Sequence, residues 1–358
     1  MIIYIILLCL GIHSVFYIFL FSRLAFYKNE SAIDKLKSNK ISIVVCFHNE
    51  EDNVDRILPK LLKQNAEEII VVDDDSKDKT LEKLNQYRTD RIKVLSLKGT
   101  SPGKKEALSA GFDAASFDTI LLTDADCSPS TTHWAQRMTS IHYEFVLGYG
   151  PMHKRKGVVA LFSRFETYTT ALQYLSYALA GIPYMGVGRN MKVNKKTILS
   201  QKSRVKGSNL ASGDDDLMIN AISNRENTGI CLHPDSFVHS NPKTSLRSFL
   251  DQKTRHISTS VYYKPIHKFL LALFSGTHIL FYIALIIALL IGTVSVKLAW
   301  TLLLVKWIVQ EAINYPVMKK LNESDLFWLF PILDVLFFVY LFVLPIYYFL
   351  NKNTSRWS

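Results

Sequence analysis

The segment Ile120–Ser128, ILLTDADCS, decides the fold that the sequence predicts. Its apolar, β-compatible residues lead into Asp124 and Asp126, which one residue separates. Alternation along an extended chain directs two such carboxylates to the same side. At the carboxyl end of a buried parallel strand, they would face the crevice in which open α/β sheets bind ligands. Two carboxylates there suit Mg²⁺ or Mn²⁺, and the metal in turn suits a diphosphate. For an isolated Asp-x-Asp, an acidic turn after a strand is the simpler explanation.

Strand and helix patterns alternate around this segment. Runs rich in β-branched residues, which are typical of buried strands, occur at Ile41–Phe47, Glu68–Val72, Ile92–Leu97 and Glu144–Gly150. Helical patterns lie between them, so the sequence predicts a doubly wound α/β sheet. The alternation ends after Pro151. The long helical segment that follows, Val158–Ala180, is expected either to pack in the core or to lie on a membrane surface.

Apolar residues are concentrated at the two ends of the 358-residue chain. Ile2–Phe21 is long enough to span a bilayer, and its basic residues follow it, so we expect an uncleaved anchor and not a signal peptide. Three more apolar runs lie near the other end: Phe269–Ile291, Val296–Ile313 and Trp328–Leu350. The second of these runs carries charges, which leaves a re-entrant or interfacial helix open. One N-terminal and about three C-terminal transmembrane helices are therefore predicted.

The formal net charge of +11 and the positions of the basic residues indicate on which side of the membrane the polar part of the chain lies and what it binds. Lysines follow the first apolar run and precede the second, so the positive-inside rule predicts a cytoplasmic body. We expect the membrane to be a bacterial-type inner or plasma membrane. Arginines do not form a stripe with interleaved aromatic residues. We therefore expect the basic residues to meet anionic membrane lipids and not nucleic acid. The four cysteines lack metal-ligand spacing and predict reduced thiols.

Polar motifs follow several of the predicted strands. Three consecutive aspartates, Asp73–Asp75, exceed what helix capping needs, and Asp74 is suited to accept hydrogen bonds from a base or ribose. Lys104 ends a loop with two glycines and offers a point charge for a phosphate. That loop lacks the Walker spacing, and a solvated basic turn also explains it. The glycine-rich segment Gly181–Asn190 allows close backbone approach to a ligand such as a sugar, with an ordinary turn as the alternative.

Two further motifs lie on predicted helices. Asp214–Asp216 precede a helical pattern, where one carboxylate can cap the helix and another, kept ionised, is available as a base. Gln252 and Arg255 are three residues apart within the helical segment Ser245–Tyr263 and share a face. Arg255 can hold a phosphate through its fork of donors. A solvated helix beside the membrane is the alternative explanation of this second motif.

Taken in order, the motifs VVCFHNEE, VVDDDS, GKKEAL, TDAD, SGDDDL and QKTRH resemble those of the family 2 glycosyltransferases, which have a GT-A fold. The resemblance covers about Ser42–His256. The flanking apolar runs resemble the membrane-bound branch, which includes poly-N-acetylglucosamine, hyaluronan, chitin and cellulose synthases and ceramide glucosyltransferases. Together with the apolar runs, the resemblance implies five segments: an anchor at 1–22, a linker at 23–40, a GT-A catalytic domain at 41–244, an interfacial helix at 245–267 and a transmembrane region at 268–350.

The resemblance also implies a role for each motif residue. Asp215 matches the general base, and Asp124 and Asp126 match the metal ligands, with Asp126 the more direct. The residues expected to bind the nucleotide-sugar donor are Cys46, Phe47, Glu50, Asp74, Lys104, Asp124, Gln252 and Arg255. We expect the acceptor to meet His256, Gly188 and Asn190. His256 stands where relatives have the tryptophan of QxxRW, which lies against the acceptor sugar.

These expectations define a function. The resemblance implies an inverting hexosyl- or N-acetylhexosaminyltransferase that uses Mg²⁺ or Mn²⁺ to move a sugar from a nucleotide-sugar, by family habit a UDP-sugar, to a lipid-linked or glycan acceptor. A processive polysaccharide synthase that exports its polymer is the alternative. Four helices make a thin channel for that task unless a partner subunit or a second copy contributes. A non-catalytic sugar-nucleotide-binding protein is disfavoured, because the metal, base and QxxR residues are all present.

Overall fold

The computed structural model describes residues 1–28, 40–98, 103–205 and 214–351, without the side chains of Lys202 and Asp214. Most of the predicted linker at 23–40 lies outside the described residues. The same is true of Gly99 and of Gly213, each of which belongs to a predicted motif.

A mixed seven-stranded sheet forms the centre of the α/β body, in the order β3-β2-β1-β4-β7-β6-β8. Its strands are β1 (Ile41–Phe47), β2 (Glu68–Asp74), β3 (Ile92–Leu97), β4 (Thr119–Asp124), β6 (Phe145–Gly148), β7 (Met191–Asn194) and β8 (Thr228–Cys231). The short strands β5 (Ser128–Pro129) and β9 (Val238–His239) pair separately. β1 to β4 run parallel, and β6 runs parallel to β8. β7 lies antiparallel between β4 and β6, which strand–helix alternation did not predict.

Helices cover both faces of this sheet, because β1, β2 and β4 are apolar on both sides and must be buried on both. The helices of the α/β body are α2 (Glu51–Leu62), α3 (Thr80–Gln86), α4 (Lys104–Ala114), α5 (Trp134–Ser140), α6 (Val158–Leu179), α7 (Lys195–Gln201), α8 (Asp214–Ile222) and α9 (Leu246–Ser260). Two hydrophobic cores result, one on each face of the sheet. The predicted α/β class is confirmed.

Helix α6 connects the sheet to the apolar helices. Most of its side chains are buried, so core packing, and not a position on the membrane surface, explains its apolar sequence. On one side, the Tyr174 hydroxyl donates to the Gly148 carbonyl at 2.7 Å. On the other, the Tyr168 hydroxyl donates to Asn314 Oδ1 at 2.7 Å. A helix bonded in this way on both sides fixes the sheet relative to the apolar helices.

Three of the described helical segments are long and apolar enough to cross a membrane: α1 (Ile2–Phe26), α10 (Pro265–Leu290) and Ser324–Leu350, which contains α12 (Phe330–Leu350). The first includes a π-helical segment, Phe16–Phe21. The predicted span at Val296–Ile313 is part of a 25-residue helix, α11 (Val296–Lys320), which falls short of the same apolarity. The sequence analysis had left a re-entrant or interfacial helix open for this segment.

Two buried charged groups within the apolar helices form an ion pair. Lys306 on α11 is 1% exposed and contacts the Asp334 carboxylate on α12. The same carboxylate accepts hydrogen bonds from the Tyr282 hydroxyl and the Trp307 indole. Because burial of a lone charge is costly, this pair explains how α11 can pack against apolar neighbours despite its lysine.

Candidate active site

A cavity of about 400 Å³ lies at the carboxyl end of β4 and extends towards the apolar helices. We call the part formed by Lys104, Asp124, Gly188 and Asp215 the strand end. We call the part formed by Glu166, Lys253, Leu271 and Tyr340 the membrane end, because Leu271 and Tyr340 belong to α10 and α12. The cavity brings together most of the predicted site residues, namely Lys104, Asp124, Gly188, Asp215, Gln252, Arg255 and His256.

An ion pair occupies the strand end. Lys104 is the first residue of α4, and its ammonium lies 2.6 Å from Asp124 Oδ1 at the last position of β4. Burial alone would lower the pKa of Lys104, but the carboxylates of Asp124 and Asp215 raise it above its ordinary value. Lys104 therefore remains a cation between two carboxylates, at the place where the sheet ends.

Next to this pair is a group of metal-ligand type. Ligand atoms of Asp124, Asp126 and Cys127 lie within 4.8 Å of one another. Burial and the adjacent Asp126 raise the pKa of the Cys127 thiol, which stays protonated and donates to Asp126 at 3.1 Å. Two carboxylates remain as ligands, a set that fits a divalent cation with a preference for oxygen. Glu50 is close enough that both aspartates contribute to raising its pKa, after the larger effect of burial.

The neighbouring aspartates Asp215 and Asp216 have different environments. Asp215 lines the cavity and accepts a hydrogen bond from the Gly188 backbone amide. Asp216 is 3% exposed and accepts hydrogen bonds from the Tyr263 hydroxyl at 3.0 Å and from the Thr259 hydroxyl at 3.2 Å. Burial, and then the Asp215 charge, raise its pKa well above the ordinary value. Asp216 thus anchors α8 to α9, and Asp215 is the one available for chemistry.

Asp74, at the end of β2, is a buried carboxylate with little hydrogen bonding. It is fully buried, and neither of its carboxylate oxygens makes a hydrogen bond of normal geometry to the described residues, although the Gly103 backbone amide is close enough to lower its pKa. Burial raises its pKa to about 6. Since buried polar groups are normally satisfied, these oxygens are suited to a ligand that supplies the missing donors. Cys46 lies opposite Asp124 in the register of β1 with β4, beside the same crevice.

Two predicted residues have structural positions instead. The Phe47 side chain is completely buried in the core that α2 covers. Asn190 is also completely buried, and its amide is fully used: Trp134 donates to its oxygen at 2.9 Å, and its nitrogen donates to the Tyr149 and Ser236 carbonyls. Asn190 is therefore not placed to meet an acceptor. Sequence alone did not distinguish it, because the Gly-rich segment gives no sign of which side chains turn inward.

Helix α9 contributes the remaining predicted site residues that line the cavity. Gln252 lines the cavity, and its buried side-chain oxygen has no hydrogen-bond partner among the described residues. Arg255 lines the cavity three residues later. His256 also faces it, and desolvation followed by the nearby Lys253 ammonium lowers its pKa, so that its imidazole is neutral.

Sequence reasoning missed two parts of the wall. Arg189 lines the cavity, and its Nε atom has no partner within the described part of the chain. The absence of a side chain at Gly150 leaves the space that Arg189 fills. The only signal was its position within the glycine-rich segment Gly181–Asn190. The α6 face that carries Glu166 gave no local signal, because a mixed polar and apolar helix looks the same whether or not it borders a cavity.

Comparison with known proteins gives a consistent result. Residues 42–164 match the family model described as Glycosyl transferase family 2. An uncharacterized glycosyltransferase of Synechocystis is 42% identical over 94 residues, which are 24% of this chain and 29% of that protein. The undecaprenyl-phosphate 4-deoxy-4-formamido-L-arabinose transferase of Proteus mirabilis is 30% identical over 97 residues, 25% of this chain and 30% of that protein. The chain thus spans less than a third of the length of these relatives.

Among solved structures, a mannosyltransferase from Pyrobaculum calidifontis, determined in complex with GDP-Man and Mn²⁺, superimposes with a TM-score of 0.56. The match covers 95% of this chain and 98% of that one at 16% identity. A likeness at this level of identity concerns the fold. It confirms the predicted GT-A fold.

Proposed function

We propose that this chain is an inverting membrane glycosyltransferase, since residues 42–164 match the model of glycosyl transferase family 2. In this proposal it moves a sugar from a nucleotide-sugar to a lipid-linked or glycan acceptor at the cytoplasmic face of a bacterial-type plasma membrane. The observation that carries the proposal is that Asp124, Lys104 and Asp215 surround one cavity.

The donor's diphosphate would lie at the strand end. Asp124 and Asp126 would hold Mg²⁺ or Mn²⁺ there, and a bound metal ion would neutralise part of the charge on the diphosphate. Lys104 and Arg255 would contact its oxygens, Lys104 as a point charge and Arg255 through its fork of donors. The buried Asp74 oxygens would accept hydrogen bonds from the nucleoside, with Cys46 and Glu50 beside it.

Transfer follows from the position of Asp215. Its carboxylate would take the proton from an acceptor hydroxyl while the hydroxyl oxygen bonds to the anomeric carbon. The bond between that carbon and the diphosphate would break, and the electron pair would leave with the nucleoside diphosphate. Lys104 and Arg255 would stabilise the developing negative charge. A single displacement inverts the anomeric centre and needs no enzyme nucleophile. Gln252, whose side-chain oxygen is unpartnered, would contact the donor at the same step.

The acceptor would arrive from the membrane. The cavity reaches α10 and α12, which belong to candidate spans, so a lipid-linked acceptor can present its headgroup to the cavity without leaving the bilayer. Two of the relatives are named as transferases that act on undecaprenyl phosphate and on dolichol phosphate. Gly188 and His256, which line the cavity, remain the proposed acceptor contacts.

The test is donor consumption by the full chain purified into native-lipid nanodiscs. A panel of UDP- and GDP-sugars is offered with Mn²⁺, with Mg²⁺ or with EDTA, and release of the nucleoside diphosphate is measured. Asp126→Ala is the test variant. Asp118→Asn is the matched control, since Asp118 forms a surface ion pair with Lys196 outside the cavity.

We expect metal-dependent release that Asp126→Ala abolishes and Asp118→Asn preserves. A small extractable glycolipid would establish transfer of one or a few sugars, and a high-mass polymer would establish the processive synthase. Mass measurement of the active particle would show whether a second copy or a partner subunit is needed. If the protein binds donors but releases no nucleoside diphosphate with any sugar, even in the presence of a membrane extract, the enzymatic proposal is wrong.

A further inference from the structure

One cation in the wall of the cavity has no role in the proposed transfer. Arg189 lines the cavity and directly follows Gly188, whose backbone amide donates to Asp215. Its Nη1 atom donates to the Ser240 hydroxyl oxygen at 3.5 Å, which is longer than an ordinary hydrogen bond, and its buried Nε atom has no partner among the described residues. A guanidinium carries five N–H donors, so Arg189 retains donors for a ligand in the cavity.

The fold holds the Arg189 side chain in place through its stem. Gly150 follows β6, and a Cβ atom there would overlap Arg189 Nε and would lie 2.8 Å from its Cδ and 3.0 Å from its Cγ. The stem therefore packs directly on the backbone at Gly150, while the polar end of the side chain has few partners. A side chain that is already positioned loses little conformational freedom when a ligand binds, which favours affinity.

The basic side chains that line the cavity fall into two groups. The lysines, Lys104 and Lys253, each form an ion pair with a carboxylate of the cavity wall. The arginines, Arg189 and Arg255, form no such pair within the part of the chain that the structure describes. A cleft with uncompensated positive charge attracts anions, and the attraction is stronger away from bulk water. The two arginines therefore suit an anionic group of a substrate.

The two arginines belong to the same region of the cavity. Desolvation is the largest cause of the lowered pKa of His256, and the charges of Arg189 and Arg255 both add to it. Arg189 is also close to Cys127, which follows the metal-ligand carboxylate Asp126: burial raises the pKa of that thiol, and the Arg189 charge opposes the rise. Arg189 is thus near both the metal-ligand group and α9, where a diphosphate bound to the metal would end.

We propose that Arg189 is a phosphate-binding residue that forms, with Arg255, a two-guanidinium clamp on one phosphate group. This inference rests on the proposed function and adds a residue to its substrate site. A guanidinium can bind a phosphate through two parallel N–H donors. The phosphate is either the β-phosphate of the nucleotide-sugar, which leaves with the nucleoside diphosphate, or the phosphate of a lipid acceptor. In the first case, Arg189 stabilises the negative charge that develops on the leaving group.

The experiment measures the Kd of paired ligands that differ by one phosphate, with the full chain in nanodiscs and Mn²⁺ present. The pairs are UDP with UMP, GDP with GMP, and farnesyl phosphate with farnesol. The variants are Arg189→Met, which keeps most of the stem, and Arg189→Lys, which also keeps the charge. Arg155→Met is the matched control, because Arg155 is exposed, donates to Asn241 at 3.0 Å and does not line the cavity. Thermal midpoints are measured without ligand.

We expect Arg189→Met to weaken binding of the ligand that carries the clamped phosphate about tenfold or more, the scale of a lost hydrogen bond between charged groups. Binding of its partner without that phosphate should change by less than about twofold. Arg189→Lys should restore part of the affinity, because a point charge remains but the fork of donors is lost. Arg189→Met should not lower the thermal midpoint, since it removes a cation without a carboxylate partner. Arg155→Met should change none of the Kd values.

The ligand that is affected identifies the source of the phosphate. A loss for UDP or GDP assigns the clamp to the donor, and a loss for farnesyl phosphate assigns it to a lipid acceptor. Equal Kd values of Arg189→Met and Arg155→Met for every phosphate ligand would overturn the inference. A lower thermal midpoint, with affinity that Arg189→Lys does not restore, would reveal a structural role and overturn it as well. If the wild-type protein binds these ligands but consumes no donor, the proposed function fails separately, and the Kd values still decide the clamp.

Discussion

The two ends of the cavity are built in different ways. At the strand end, functional side chains lie where a strand ends or a helix begins: Asp124 closes β4, and Lys104 opens α4. At the membrane end they project from the middle of long helices, such as Glu166 on α6 and Tyr340 on α12. The carboxyl ends of parallel strands meet at one edge of a sheet, where backbone groups and charged side chains lie close together and can bind a phosphate. Helix faces come together only through packing, which suits them to a part of the site that varies with the acceptor.

The largest effect should come from Asp215→Asn at the strand end. General-base catalysis contributes about 10² to 10⁴-fold, so kcat should fall by about 10³-fold with donor KM nearly unchanged. The neighbouring Asp216→Asn provides the contrast. Asp216 bonds to Tyr263 and Thr259, so its loss should lower the thermal midpoint and leave most of kcat in the folded fraction. Equal losses of kcat in the two variants, at equal folded fractions, would contradict the assignment of a catalytic role to Asp215 and a structural role to Asp216.

Gly188→Ala should produce the next largest effect. A Cβ added at Gly188 would lie 2.7 Å from Asp215 Oδ2 and 3.3 Å from Lys104 Nζ, so both charged groups must move. Misplacement by about 1 Å can cost about 10²-fold in rate, which we expect in kcat. Gly276→Ala is the matched control, because a Cβ there meets no atom within 4 Å. Full activity of Gly188→Ala would mean that the strand end tolerates displacement and would weaken the comparison.

Substitution of Asp74 should have a moderate effect on donor binding, and this effect should depend on pH. Its pKa is raised to about 6, and the carboxylate is the form that accepts hydrogen bonds from a nucleoside. As the pH falls below about 6, protonation removes the acceptor and the donor Kd should rise. Asp74→Asn should raise the Kd at pH 8 by about tenfold, the lower range for a bond to a charged group, and should flatten the pH profile.

Titrations of donor binding between pH 5 and pH 8 measure this effect. Asp75→Asn serves as control, since Asp75 pairs with Lys77 and its left-handed backbone suits asparagine. A wild-type donor Kd that is constant over this range would exclude Asp74 from donor binding.

The same contrast explains which parts of the fold and of the site could be predicted from the sequence. The strands that lead to Asp74 and Asp124 are continuous apolar runs, and the polar residues after them have only one edge of the sheet to occupy. Their grouping was therefore predictable. β7 was not, because its four residues, Met191–Asn194, follow a glycine-rich segment and carry a lysine. Its antiparallel position depends on pairing with both β4 and β6, which no local pattern encodes.

Side-chain direction was the other limit. Gly188 and Asn190 belong to one segment, yet the first borders the cavity and the second is locked by Trp134 and two carbonyls. Glu166 was not predicted at all, since its partner Lys253 is 87 positions away in sequence (253 − 166). Contacts of this kind are decided by how α6 packs against α9, and a single sequence carries no direct record of them.

The smallest effect on catalysis should come from Lys306, a buried ion-pair residue outside both ends of the cavity. Lys306→Met leaves Asp334 buried without its cation, which should lower stability by about 3–5 kcal/mol, the range for one lost partner of a buried pair. Lys306→Met with Asp334→Asn leaves no uncompensated charge and should recover much of that loss. In both variants, kcat and the acceptor KM per folded molecule should equal those of the wild-type protein. Thermal unfolding in nanodiscs and steady-state kinetics provide the two measurements. A kcat that falls in the double variant while stability recovers would show that the helices of the membrane region contribute to the chemistry, and not only to the support of the cavity.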